Sequence, residues 1–217
     1  MKQPVDETLI RYIETEILPR YETFDKAHQT DHARTVIGES LRLAQYYDVD
    51  CNVVYAVAAY HDTGLVAGRE RHHEVSARIV RDDRNLPRWF SEQEIAMIAD
   101  AVEDHRASAG APPRSIYGRI VAEADRVIDC DTTLRRTVQY GLQHEPQLDR
   151  EGQYARFVAH LHEKYAAGGY LRLWLPESGN VLRLEALRRR IADKEALRRD
   201  FDRLYDEEYS RSVSPKF

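Results

Sequence analysis

Four positions in this chain carry side chains whose types and spacing suit a divalent metal: His32, the adjacent pair His61-Asp62, and Asp125. His61-Asp62 ends the run Val53-Val54-Tyr55-Ala56-Val57-Ala58-Ala59-Tyr60, which has no formal charge and is mostly apolar. Asp125 is a lone carboxylate on the mostly apolar face of Ile120-Val121-Ala122-Glu123-Ala124. An imidazole and a carboxylate at the end of a buried element are costly unless something satisfies them. A divalent ion would satisfy both, as would a buried hydrogen-bonded pair or a helix end that surfaces into water. Two imidazoles and two carboxylates suit a borderline-hard ion such as Mn²⁺, Mg²⁺, Fe²⁺, Co²⁺ or Ni²⁺, with coordination positions left open for water and substrate. The set does not resemble a closed, cysteine-rich structural zinc site.

The elements that must position these groups are helical. Ile10, Ile13, Ile17 and Leu18 mark an amphipathic first helix that Pro19 ends or kinks. Thr30 or Asp31 caps a second helix, with His32, Val36, Leu43 and Ala44 on one face through about Tyr47. The run from Val53 lacks a sharp amphipathic period, so it is a helix buried on most sides, with Gly64 as its left-handed stop. A helix through Ser76 to Val80 follows the polar loop from Gly64 to about Arg71. Ser91 and Glu94 form a capping box that opens another, reaching His105. Ala107 to Pro113 is loop. The helix carrying Ile116 and Ile120 passes Asp125 and continues to Val127-Ile128. Leu134, Val138 and Leu142 extend the helical set. Two further helices cover about Arg150 to Tyr165 and about Val181 to Tyr209, and between them Tyr170 to Leu175 alternates with period two, as a short strand or an extended loop.

Composition narrows the function classes. At 217 residues, 42% hydrophobic and 32% charged, the chain can bury a real core under a well-solvated surface. A net charge of −5 gives no general attraction to a nucleic acid polymer or an anionic membrane. Cys51 and Cys130 make no disulfide framework and no Cys-x-x-Cys pair, the stretch Met1 to Glu7 has no apolar signal-peptide core, and no run is long enough to span a bilayer. These features lead us to expect a soluble, cytoplasmic protein. The basic residues are overwhelmingly arginine, the better fork for phosphate or carboxylate.

A His, then a buried helix ending in His-Asp, then a distant Asp in an Ala-Asp-Arg setting resembles the HD-domain superfamily of metal-dependent phosphohydrolases. The resemblance covers roughly Asp31 to Asp131: Asp31-His32-Ala33-Arg34 is similar to the first motif, His61-Asp62-Thr63-Gly64 to the second and Ala124-Asp125-Arg126 to the last. Some members carry two further histidines that hold a second metal. The family pattern, a His four residues before a small residue followed by Ala, selects His72 through Ser76-Ala77, and His73 then points about 100° away on the helix. His105 matches the later histidine. Arg106 stands where some dinuclear members carry another His. Thr63-Gly64 replaces the Glu-Asp pair of the guanosine-polyphosphate hydrolases, and the Gly-Tyr-Pro extension of the cyclic-dinucleotide branch is missing. His28, His144, His160 and His162 match no pattern, and Asp129-Cys130-Asp131 is taken as a helix end.

The run of helices makes the expected fold all-α, and with the resemblance it leads us to expect an HD-domain-like multi-helix bundle over residues 1–143, with core motifs at 31–131, and a helical C-terminal extension over 144–217 packed on it. The implied function is metal-dependent phosphohydrolysis of a small phosphorylated molecule, nucleotides included. His32, His61, Asp62 and Asp125 would hold the catalytic metal, and Asp62 would bridge to a second held by His72 and His105. Arg34, with Arg69, Arg71 and Arg106, would clamp phosphate oxygens. Two alternatives stand beside this reading: a di-iron oxygenase of the same superfamily, and a non-catalytic module that binds a metabolite. The sequence does not speak to oligomeric state.

Overall fold

The computed structural model describes residues 3–24, 30–106, 111–126 and 128–213. His28, Val127 and part of the expected loop after Ala107 lie outside them. The described residues contain ten α-helices and no strand, so the fold is all-α. No helix among them is long and apolar enough to cross a membrane.

The chain divides into two compact units. One comprises Met1–Arg126 with Leu173–Ser178, the other Val127–Arg172 with Gly179–Phe217. The first contains α1 (Glu7–Tyr12), α2 (Thr30–Ala44), α3 (Cys51–Tyr60), α4 (His72–Asp82), α5 (Glu92–Glu103) and α6 (Ile116–Ala124). The second contains α7 (Cys130–His144), α8 (Arg150–Lys164), α9 (Asn180–Ala192) and α10 (Lys194–Val213).

The first unit is built around α3. Asp50 caps it by accepting from the Asn52 backbone N–H at 2.7 Å. Val53, Val54 and Val57 are poor helix formers, so burial rather than propensity holds the helix. Every residue from Val53 to Tyr60 is buried, against α2, α4, α5 and α6, and each fully buried valine contributes about 2 kcal/mol. The first helix behaves as Pro19 requires: α1 runs into a π-turn at Ile13–Ile17 and then a 3₁₀ turn at Leu18–Thr23 with proline in its first turn. The capping box of Ser91 and Glu94 is formed at the start of α5.

Several boundaries differ from the sequence expectation. α6 stops at Ala124 with Asp125 as its C-cap, and α7 starts afresh at Cys130, where the Asp129 carboxylate accepts from Thr132 N–H at 2.9 Å. Asp129 therefore opens a helix, and the expected continuation through Ile128 does not form. The single long C-terminal helix is two: Asp193 leaves the helical conformation and caps α10 by accepting from Ala196 N–H at 2.9 Å. The alternating stretch before Leu175 is irregular chain and forms no strand. Its tail is tied down by the fully buried Glu123, whose two oxygens accept from Trp174 N–H at 2.7 Å and Ser178 Oγ–H at 2.6 Å. In the second unit α7 packs on α8, α9 and α10, around Leu134, Val138, Phe157, Leu187, Phe201 and Leu204.

Candidate metal centre

The C-terminus of a buried helix leaves carbonyls without intrahelical donors. At the end of α3 side chains supply them. His61 Nδ1 bonds Ala58 O at 2.7 Å, Tyr21 Oη donates to Ala59 O at 2.9 Å, and Thr63 Oγ1 donates to Tyr60 O at 2.8 Å. The left-handed glycine stop expected at Gly64 is therefore absent. Gly64 sits inside a 3₁₀ turn, Thr63–Ala67, and the positive φ, +91°, falls at Gly68, which ends that turn. Glycine is required at 64 for a different reason. A Cβ there would stand 2.1 Å from His72 O and 2.5 Å from Ser76 N, because the turn lies directly on the first turns of α4. Gly64 N–H donates to Ser76 Oγ at 2.8 Å and locks the contact.

The same bonds orient the imidazoles. His61, His72 and His105 each place Nδ1 on the carbonyl three residues earlier, those of Ala58, Arg69 and Val102, at 2.6 to 2.8 Å. A carbonyl accepts only from N–H, so Nδ1 carries a proton and Nε2 is the atom left facing the interior to act as a ligand, the arrangement typical of metal-bound histidine. His32 arrives from the first turn of α2, His72 from the start of α4, His105 from just past α5, and Asp125 from the C-cap of α6.

These groups converge on Asp62, whose side chain is 6% exposed. Asp62 Oδ2 lies 3.3 Å from His61 Nε2 and 3.8 Å from His32 Nε2. Its other oxygen, Oδ1, lies 3.3 Å from His72 Nε2 and 3.4 Å from His105 Nε2. Asp125 Oδ1 joins the first group, 3.1 Å from His32 Nε2 and 3.9 Å from His61 Nε2. The paired imidazoles face each other, His32 to His61 at 3.4 Å and His72 to His105 at 3.2 Å. Two sets of three, His32-His61-Asp62 and Asp62-His72-His105, have donor atoms within 4.8 Å of one another. Two imidazole nitrogens that face each other this closely repel, as two lone pairs or as two N–H groups, unless a shared proton or a cation stands between them. Adjacent donors on an octahedral ion bound at about 2.1 Å stand about 3.0 Å apart, close to the separations here. The residues present fit a divalent ion in each set.

The electrostatics agree. Burial opposes charge on His61, yet the Asp62 and Asp125 carboxylates outweigh it and push its pKa up to about 9. Burial, then neighbouring His105, pushes His72 down to about 4. Burial would raise Asp62 and Asp125, but the imidazoles facing each hold both below the ordinary carboxylate range. Tyr21 Oη also accepts from Asp62 N–H at 3.2 Å, and burial followed by the Asp62 charge keeps that phenol protonated far above its usual range.

The structure thus brings together His32, His61, Asp62, His72, His105 and Asp125. His73 faces elsewhere, with Nδ1 3.4 Å from an Arg106 nitrogen. The arginines proposed as phosphate clamps are engaged with other groups. Arg34 makes a two-pronged ion pair with Glu14, Arg71 pairs with Glu74, and Arg106 also donates to Glu70 O. Arg69 lines a cavity of about 340 Å³ with Thr23, Phe24, Leu65 and Val66. Sequence reasoning missed Tyr21 and the true role of Gly64. Both act through contacts between distant segments, and the one local sign was the small Ser76 one turn after His72.

Comparison with known proteins yields no match among curated proteins and none among solved structures. The family model for the HD domain matches residues 30–128, a span that contains all six converging residues. That stretch therefore matches the HD domain, the family model of the HD-domain superfamily of metal-dependent phosphohydrolases, in agreement with the motifs and the all-α fold.

Proposed function

We propose that the protein is a phosphohydrolase of small phosphorylated molecules, with His32, His61, Asp62 and Asp125 holding one divalent ion and Asp62, His72 and His105 a second. The observation that carries this is the division of Asp62: its two oxygens face two separate imidazole pairs. A bound divalent ion supplies Lewis acidity, lowering the pKa of a water and polarising a phosphoryl oxygen. The chain's own residues do the rest. Asp62 spaces the two donor sets, and the backbone bonds to Nδ1 fix the His61, His72 and His105 rings so that little reorganisation is needed when ligands arrive. Asp125, the most exposed of the set at 30%, marks the side open to solvent and substrate.

The test is metal reconstitution. Protein stripped with chelator and reloaded anaerobically with Mn²⁺ or Mg²⁺ should release phosphate or pyrophosphate from at least one small phosphorylated compound. Asp62→Ala should bind neither ion and release none, since both donor sets lose their shared oxygen donor. Turnover seen only with iron and matched by O₂ consumption would overturn hydrolysis in favour of the di-iron oxygenase. Asp62→Ala with unchanged metal content would overturn the ligand assignment.

A further inference from the structure

The linker between Asp62 and His72 does more than connect two ligands. Its 3₁₀ turn, Thr63–Ala67, packs against the turn Leu18–Thr23. Between them lies the cavity of about 340 Å³ walled by Thr23, Phe24, Leu65, Val66 and Arg69, at the lower end of the ~300–1,000 Å³ usual for small-molecule sites. The walls are coupled directly to the candidate metal centre. Leu65 N–H donates to Asp62 O at 3.0 Å, and Arg69 O accepts from His72 Nδ1 at 2.8 Å. Phe24 packs edge-on against Tyr21 at 5.4 Å between ring centroids, and Tyr21 lies 6.2 Å from His61.

We infer that this cavity is the subsite for the non-reacting part of the substrate and that it selects an organic phosphate bearing a flat ring. Phe24 offers a ring for stacking, Leu65 and Val66 offer aliphatic edges, and the Arg69 guanidinium complements the phosphate charge. Thr23 Oγ1 already donates to Arg20 O, so towards a ligand it presents acceptor lone pairs that suit a ring carrying N–H or O–H. None of the walls is a candidate ligand, so the cavity sets which molecule is held while the cluster beside it acts on the phosphoryl group. The inference rests on the phosphohydrolase reading.

Binding of two non-hydrolysable probes, benzylphosphonate and methylphosphonate, to the Mn²⁺-loaded full chain separates the subsite from turnover. Calorimetry should show benzylphosphonate binding roughly tenfold tighter. Phe24→Ala should bring the ratio of the two dissociation constants close to one. Val66→Ser, at a position 73% exposed and so neutral to folding, should lower the ratio in the same direction. Arg69→Gln should weaken both probes. Equal affinity of the wild-type protein for the two probes, or an undiminished ratio in both Phe24→Ala and Val66→Ser, overturns the subsite and leaves hydrolysis standing. Failure of both probes to bind overturns the subsite, and if phosphate release is also absent from every substrate the phosphohydrolase reading falls with it.

Discussion

Replacing Gly64 with alanine should loosen one donor set and spare the other. The added Cβ would meet His72 O at 2.1 Å, whereas ordinary contact begins near 3.4 Å, so the turn and the start of α4 must part by about 1.3 Å. Neither partner is a flexible side-chain tip: His72 O and Ser76 N are both backbone. Overpacking of this kind costs about 1–3 kcal/mol, and separating the turn also strains the bond from Gly64 N–H to Ser76 Oγ. His72 opens α4, so it moves with the displaced backbone, while metal ligands tolerate only ~0.2 Å. We expect the affinity of the His72-His105-Asp62 set to fall at least ~10–100-fold, with the His32-His61-Asp125 set, carried on α2, α3 and α6, within a few-fold of wild type. Titration with Mn²⁺, read by electron paramagnetic resonance, counts the two classes of site, and thermal unfolding follows stability. Gly38 is the control: a Cβ there meets nothing within 4 Å, and alanine in the middle of α2 should stabilise by roughly 0.5–1 kcal/mol. Gly64→Ala protein with two undisturbed Mn²⁺ sites and wild-type melting would refute the close-approach account.

Three further outcomes can be checked on the same protein. His72→Ala should abolish binding at the second set, whereas His73→Ala, whose ring turns towards Arg106, should leave metal stoichiometry unchanged; the reverse pattern would place the wrong histidine in the centre. Glu123→Ala takes the acceptor from Trp174 N–H, while Ser178 Oγ–H keeps Leu175 O at 2.9 Å, and should cost on the order of 1–3 kcal/mol, with faster protease cleavage between residues 173 and 178 as the readout. Metal affinity should rise with pH, because a ligand imidazole must be neutral: His61, near 9 without an ion, holds a proton at pH 7 that metal binding expels. His72, near 4, adds none. Affinity should therefore climb about tenfold per pH unit and level off above about pH 9, with about one proton released at pH 7 in calorimetry across buffers of different ionisation enthalpy; no proton release would contradict the assigned state of His61.

What was legible in the sequence was whatever a single helix states about itself. The uncharged run before His61 could only be buried, and it is. The Ser91-Glu94 capping box marked the start of α5, and the family motifs singled out the six residues that converge. Helix ends were misread where a polar residue had two readings. Asp125 and Asp193 look like interior members of longer helices when only apolar spacing is followed. Each is a boundary because the next residues do better with a fresh cap: Asp129 for α7, and Asp193 itself for α10. The division of Leu173–Ser178 from its neighbours in sequence left no local sign at all, since it depends on a carboxylate, Glu123, some fifty positions away.

The misreading of Gly64 is the most instructive, because the expected motif was replaced by a better one. A left-handed glycine would have ended α3 by turning the chain away into solvent and giving its last carbonyls to backbone N–H groups. Instead those carbonyls take side-chain donors from His61, Tyr21 and Thr63. That exchange has a chemical consequence. Using His61 Nδ1 as a cap turns Nε2 towards Asp62, as the atom that gives up its proton when a metal binds, and using Tyr21 as a cap places its oxygen where it also accepts from Asp62 N–H. The chain is then free to continue in a tight turn, which only glycine at 64 allows, straight onto α4 and His72. Helix termination, ring orientation and delivery of the second donor set are one arrangement of backbone carbonyls, and the residues that look like a helix stop are the ones that assemble the centre.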